Sequence, residues 1–251
     1  MNQRAADDGL PDSARLAWWG TAWLQGRVGP DDVVDALLSP GDVPPLVLGD
    51  GPDDGPSPIL VELAAARTAG ATAVAASFPA TGDPVGLRGP RALSAAAIEA
   101  GQCVLLLGIE RALVPARVGR VVEWTPTPAA RRPPLDLGEA DRELRATLLT
   151  AADALAALDV ARWRPEVADE LMDLRSGTPL EAPPGVPPRC VDLAGRALRL
   201  WSVVDLALED DGAAVSASEA AARRGALEPL ERAVRRALTA ACSPDAWPPA
   251  D

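Results

Sequence analysis

The sequence predicts an α/β fold: a small, mostly parallel sheet flanked by helices, followed by an all-helical C-terminal region. Three observations predict it. Short apolar runs bounded by Gly and Pro alternate with helical stretches of about ten residues as far as Thr125. Beyond Thr125 the strand signals stop and four apolar stripes at helical spacing follow. The chain has 251 residues, 48% of them hydrophobic, which is enough for a sizeable core without a metal or a disulfide.

Residues 1–11 read as a flexible tail. From Asp12 a helix begins, with Leu16, Trp19 and Trp23 at helical spacing and Gly26 near its end. Pro30 suits a first helical position, and Asp31 and Asp32 behind it favour the positive end of the helix dipole. Val33, Val34, Leu37 and Leu38 complete that helix before Ser39-Pro40-Gly41 stops it. Leu46-Val47-Leu48 reads as a short strand, and Ile59–Ala69 as a helix with Gly70 as its C-cap. Thr72–Phe78 is a buried strand, Ala92–Ala100 a helix and Cys103–Leu107 another strand. Strands separated by helices favour parallel pairing through right-handed crossovers. Leu113–Val118 and Gly119–Thr125 read as an antiparallel addition at the sheet edge, where Pro115 is tolerated.

The α/β region therefore spans 12–125, a Pro-rich linker 126–135, a helical region 136–243 and a flexible tail 244–251. The first helical stripe is Leu144, Leu148, Ala151, Leu155 and Leu158; Val167, Leu171 and Leu174 form the second. The third is Leu193, Ala197, Trp201, Val204 and Leu208; the fourth is Leu227, Leu230, Val234, Leu238 and Ala241. Such stripes must be buried, either in a bundle of their own or in one core shared with the α/β region.

The composition excludes more than it assigns. There is no His, no Tyr and no Lys, so all 24 basic residues are Arg. A GC-rich coding bias, visible also in the abundant Ala, accounts for Arg in place of Lys. Without His there is no imidazole base and no imidazole metal ligand; without Lys there is no Schiff base and no phosphate-loop lysine. Catalysis would fall to Asp, Glu, Arg, Ser, Thr, Cys or a cofactor, and paired carboxylates alone can hydrolyse glycosides. No cofactor or metal is implied, and the three cysteines, Cys103, Cys190 and Cys242, have no metal-binding spacing. The net charge of −12 is spread evenly, with no basic face, which argues against nucleic acid. A polar, acidic start predicts no signal peptide, and no run of 18 apolar residues predicts a membrane span, so the expected location is the cytoplasm.

Candidate site residues cluster after the strands. The loop Pro79–Pro90, PATGDPVGLRGP, contains Asp83 and Arg88 and leads into a helix carrying Arg91 and Ser94. In a parallel sheet this loop would lie in the crevice beyond the strand ends, where the two arginines could clamp a small anion. A plain Pro-Gly connection is the alternative. Asp50, in the turn GDGPDDG after the first strand, would face the same crevice; that turn lacks the acidic positions of a calcium loop. Trp18 points away from the Trp19–Trp23 face and marks a contact with the helical half or with a partner. The helical carboxylate pairs Glu139/Glu143, Asp169/Asp173 and Asp205/Glu209 read as solvated faces.

The stretches ARLAWWGTAWLQG, GDPVGLRGP and LDVARWRPEVADELMDLR, with the Ala/Arg bias, resemble a conserved family of high-GC actinobacteria. That resemblance spans most of the chain and implies no activity. The residues themselves favour a non-catalytic protein-interaction or scaffold protein. Two alternatives stand beside it: a binder of a small anionic ligand at Arg88 and Arg91, and a carboxylate-dependent hydrolase or transferase. The latter requires Asp50, Asp83 or Glu110 to converge.

Overall fold

A computed structural model describes residues 9–51, 54–133, 135–157, 179–209 and 217–247. The order of elements is α1 (Asp12–Leu24), α2 (Pro30–Leu37), β1 (Leu46–Val47), β2 (Ser57–Pro58), α3 (Ile59–Thr68), β3 (Ala73–Ser77) and α4 (Arg91–Ala100). Then come β4 (Cys103–Leu107), β5 (Arg111–Val118), β6 (Val121–Pro128), α5 (Leu137–Ala157), α6 (Pro188–Glu209) and α7 (Ala217–Ala241). A 3-10 turn, Pro244–Ala246, ends the described chain. The mixed α/β class and the helical C-terminal region are those the sequence predicts. Leu158 and the stripe Val167, Leu171 and Leu174 lie outside the described residues.

The sheet is not mostly parallel. Its order is β2-β1-β6-β5-β4-β3, and only β1 and β6 run parallel, with Leu46 opposite Glu123. The physical reason lies in the connection between β3 and β4. A single helical crossover returns the chain to the starting end and makes neighbours parallel. Here the Pro79–Pro90 loop makes a traverse of its own. It leaves the Ser77 end of β3, buries Leu87 among Leu105, Ala112 and Val114, and brings the Arg88 carbonyl to the Ala130 N–H past the far end of β6. Helix α4 then crosses back, so β4 starts with Cys103 opposite Ser77, antiparallel.

β5 and β6 pair antiparallel as expected, but inside the sheet rather than at its edge. Pro115 is accommodated because pairing with β4 stops at Leu113, leaving only β6 beside it. β6 also continues to Pro128, so the first residues of the expected linker are strand.

Alternation along the strands sorts two cores. Val74, Ala76, Val104, Leu106, Leu113 and Trp124 face α1 and α3, in a cluster that continues without a break into α5, α6 and α7. Cys103, Leu105, Ala112 and Val114 face Leu93 and Ala97 of α4. Helix α1 approaches β3 closely because position 20 is glycine: a Cβ there would stand 3.1 Å from Val74 Cγ2. In a core of this density, added volume forces its neighbours to shift.

β3 is an edge strand, and its outward backbone groups are sealed at every second residue. Thr21 Oγ1 accepts from the Val74 N–H (2.9 Å) and donates to the Val74 carbonyl (3.0 Å). The Ala76 N–H donates to the Cys242 carbonyl, while the Ser243 hydroxyl donates to the Ala76 carbonyl. The Phe78 N–H donates to Thr239 Oγ1. An open edge is a template for aggregation, and each orphaned buried group would cost about 1–3 kcal/mol. The end of α7 thus completes the sheet.

Candidate functional site

The Pro79–Pro90 loop opens with a two-residue turn. Ala80 and Asp83 exchange two backbone hydrogen bonds at 2.9 Å, with Thr81 and Gly82 at the tip. Gly82 has φ +79, a conformation that costs glycine nothing. Three residues on, Val85 is the one described non-glycine with positive φ, +44. A β-branched residue there is strained, by a cost of about 1–3 kcal/mol. Burial of its side chain and a hydrogen bond from the Ser77 hydroxyl to its carbonyl hold it.

The turn places Asp83 under α7, where it is buried among three arginines. Arg236 Nη2 lies 3.4 Å from Oδ1, and Arg232 Nε and Arg235 Nη2 lie 3.9 and 4.0 Å from Oδ2. Arg236 also pairs with Glu143 of α5 at 3.1 Å, and Arg235 with Glu231. Three guanidiniums and three carboxylates thus tie the loop, α5 and α7 together. Asp83 Oδ2 and Arg235 Nε have no hydrogen-bond partner in this network. Only the Arg236–Asp83 contact is a hydrogen bond, so the loop is held to α7 mainly by charge attraction.

Beside the clamp lies a cleft of about 360 Å³. Its walls are Pro79, Ala80 and Thr81 of the loop, Ile98 and Gly101 at the end of α4, Trp201, Asp205 and Leu208 of α6, and Glu231 and Arg235 of α7. Phe78, buried at the end of β3, packs edge to face with Trp201 at 5.9 Å and 85°. The cleft therefore mixes apolar lining that includes an indole with two carboxylates, a hydroxyl and a guanidinium.

The residues chosen from sequence divide. Asp83 is a structural hub next to the cleft. Arg88 and Arg91 are exposed and do not line it; Ser94 is half-buried, its N–H bonded to the Pro90 carbonyl. Asp50 does not share a crevice with Arg88. It pairs with Arg111 at 3.0 Å beside Glu62 of α3, on the Leu113 face of β5, whereas the Arg88 loop covers the opposite face. The two-faced antiparallel sheet separates what a parallel sheet would have gathered. Glu110 is exposed in the β4–β5 turn, so Asp50, Asp83 and Glu110 do not converge.

Trp18 lies in the core. It is fully buried, and its indole N–H donates to the Ala241 carbonyl at 3.2 Å, the same carbonyl that receives Trp247 at 2.9 Å. Of the two contacts foreseen for it, the one with the helical half is present. Trp19 and Trp23 are the half-buried pair, with Arg67 stacked 4.3 Å over Trp23.

Reading the sequence missed Trp201, Asp205, Leu208, Glu231 and Arg235 as site residues. The available signal was Arg232, Arg235 and Arg236, whose spacing puts three cations on one helix face in need of carboxylates.

Cys103, Cys190 and Cys242 are buried and unbridged. Burial pushes the Cys103 and Cys190 thiols up to about 12 and raises that of Cys242 as well, which leaves little thiolate near neutral pH. Among the described residues no group of His, Cys, Asp and Glu is arranged to hold a metal ion. No described helix is long and apolar enough to cross a membrane.

Two family models match the chain. The one for the N-terminal domain of Rv1486c-like proteins covers residues 13–137, and the one for the C-terminal domain covers 138–239. No curated protein and no solved structure matches.

Proposed function

The chain belongs to the Rv1486c-like family, named after a Mycobacterium tuberculosis protein and carrying no assigned activity, and from that premise we propose a non-catalytic small-molecule-binding protein. The observation that supports it is the composite cleft. Loop 79–81 and α4 come from the N-terminal domain, α6 and α7 from the C-terminal one, and neither alone encloses the space. Its volume falls at the lower end of the roughly 300–1,000 Å³ of small-molecule sites, and its mixed lining suits an oriented ligand. A chain without His, Lys or Tyr has little general acid-base inventory, and the Glu231 carboxylate is already engaged by Arg235. We place the protein in the cytoplasm, where three free buried thiols persist.

The interaction-protein reading has less behind it. Trp18 is buried, and among the described residues the exposed large apolar side chains, Val43, Val61, Val118 and Leu149, sit on four separate segments.

The test is a thermal-shift panel of nucleotides, sugar phosphates, carboxylic acids and amines. A ligand at about 100 times its Kd adds roughly 2.7 kcal/mol, or about 5–10 °C at this size. That shift should vanish in Ala80→Phe, which fills the cleft, and persist in Arg88→Ala/Arg91→Ala. A flat panel, or a shift that survives Ala80→Phe, overturns the reading.

A further inference from the structure

The lining of the cleft selects for an uncharged ligand, an inference that rests on the binding role just proposed. Trp201, Asp205 and Leu208 stand at i, i+4 and i+7 of α6, so one helix face supplies apolar and acidic lining together. The charges of that lining are already engaged. Glu231 pairs with Arg235 Nη1, and Asp205 also has a partner. An ion entering the cleft would give up its water and meet no free opposite charge. Cations and anions are therefore both disfavoured.

A hydrogen-bonding pair is left over. Among the described residues that line the cleft, the buried polar atom without a partner is Arg235 Nε, on a side chain only 9% exposed. Nε and Nη2 share one edge of the guanidinium, and Nη2 stands 4.0 Å from Asp83 Oδ2, too far for a hydrogen bond. Oδ2 is itself buried and accepts no hydrogen bond. A donor and an acceptor thus lie close together unsatisfied, which is costly in a buried site. One neutral group meets both needs: the carbonyl of an amide accepts from Nε–H, and its N–H donates to Oδ2. Neither protein atom touches solvent, so the group enters with a small side-chain shift of the kind common on binding. We propose that the cleft takes an uncharged ligand with an amide or lactam head on an apolar body, the head at Arg235 Nε and Asp83 Oδ2 and the body along Trp201 and Leu208. This replaces the anion expected at Arg88 and Arg91, which lie outside the cleft. Of the compounds in the thermal-shift panel, guanine and uracil nucleotides carry such a head on their bases.

The experiment is isothermal titration calorimetry of the full chain with three probes of one ring and one chain length: 3-phenylpropionamide, 3-phenylpropionate and 3-phenylpropylammonium. The amide should bind at least about tenfold tighter than either ion, and its binding should vanish in Ala80→Phe. A second readout is the arginine Nε–H region of a proton–nitrogen NMR correlation spectrum, with the Arg235 signal assigned through bonds. Saturation with the amide should move that signal downfield, because its proton gains an acceptor. If either ion binds as tightly as the amide, the uncharged assignment falls while the cleft reading stands. Amide binding that leaves the Arg235 signal in place, or that survives Ala80→Phe, puts the head group elsewhere and overturns the proposal. If no probe binds, the amide is overturned, and the broader panel decides the cleft separately.

Discussion

The Ala76 N–H donates to the Cys242 carbonyl at 2.9 Å, joining the free edge of the sheet to the end of the last helix. With Thr21, Thr239 and Ser243 it closes the outer side of β3, and it is this closure that carries α7 to the loop after β3 and creates the cleft between them.

Thr21→Val keeps the shape of the side chain and removes its hydroxyl. The Val74 N–H and carbonyl then lose their partner in a buried site. We expect a loss of about 2–3 kcal/mol, a fall of roughly 5–10 °C in Tm, measured by equilibrium urea unfolding.

Trp18 and Trp247 donate to one carbonyl, that of Ala241, so each can cover for the other. In a double-mutant cycle, Trp18→Phe with Trp247→Phe should cost about 1 kcal/mol more than the two single changes added together. Strict additivity would show that the shared acceptor is not the link.

Asp83 is the carboxylate of a buried clamp, whereas Arg232 is half exposed at its rim, with 50% of its side chain accessible. Asp83→Asn leaves the buried Arg235 short of a counter-charge and should cost about 1–3 kcal/mol. Arg232→Gln should cost under about 0.5 kcal/mol. Chemical denaturation of both variants checks the ranking.

The alkaline limb of stability belongs to the thiols, because the chain has no Lys and no Tyr. In the folded chain Cys103 and Cys190 are pushed by burial up to about 12, against 9.0 for a free thiol. A group raised in the folded state stabilises fully below its unfolded value and loses that contribution as pH climbs toward the folded one. Stability should therefore decline between pH 9 and 12, by about 1.4 kcal/mol per pH unit for each thiol. At pH 8 the native chain should react with no equivalent of dithionitrobenzoate and the unfolded chain with three. A fast-reacting native thiol would contradict the burial.

Local elements were legible in the sequence because their signals are local. Pro30 opens α2, Gly101 closes α4 with φ +65, and Cys103–Leu107 reads as a strand from its apolar run. Strand direction was not legible, because it depends on whether the Pro79–Pro90 loop turns back or crosses the sheet, and its Pro-Gly composition suits both. The burial of Trp18 follows from α7 returning to β3, a contact over more than two hundred residues that no periodicity encodes. The cleft was half legible. Its loop was singled out for an anion at Arg88 and Arg91, which do not line the cleft, and its helical wall is made of stripe-flanking residues that look like any solvated face.

Since the cleft is built jointly, the two matched regions must unfold together. Differential scanning calorimetry of the full chain tests this most directly. The structure predicts one transition whose calorimetric and van't Hoff enthalpies agree, shifted to lower temperature as a whole by Thr239→Val. Two resolved transitions, with Thr239→Val moving only one of them, would contradict a site that depends on the seam between β3 and α7.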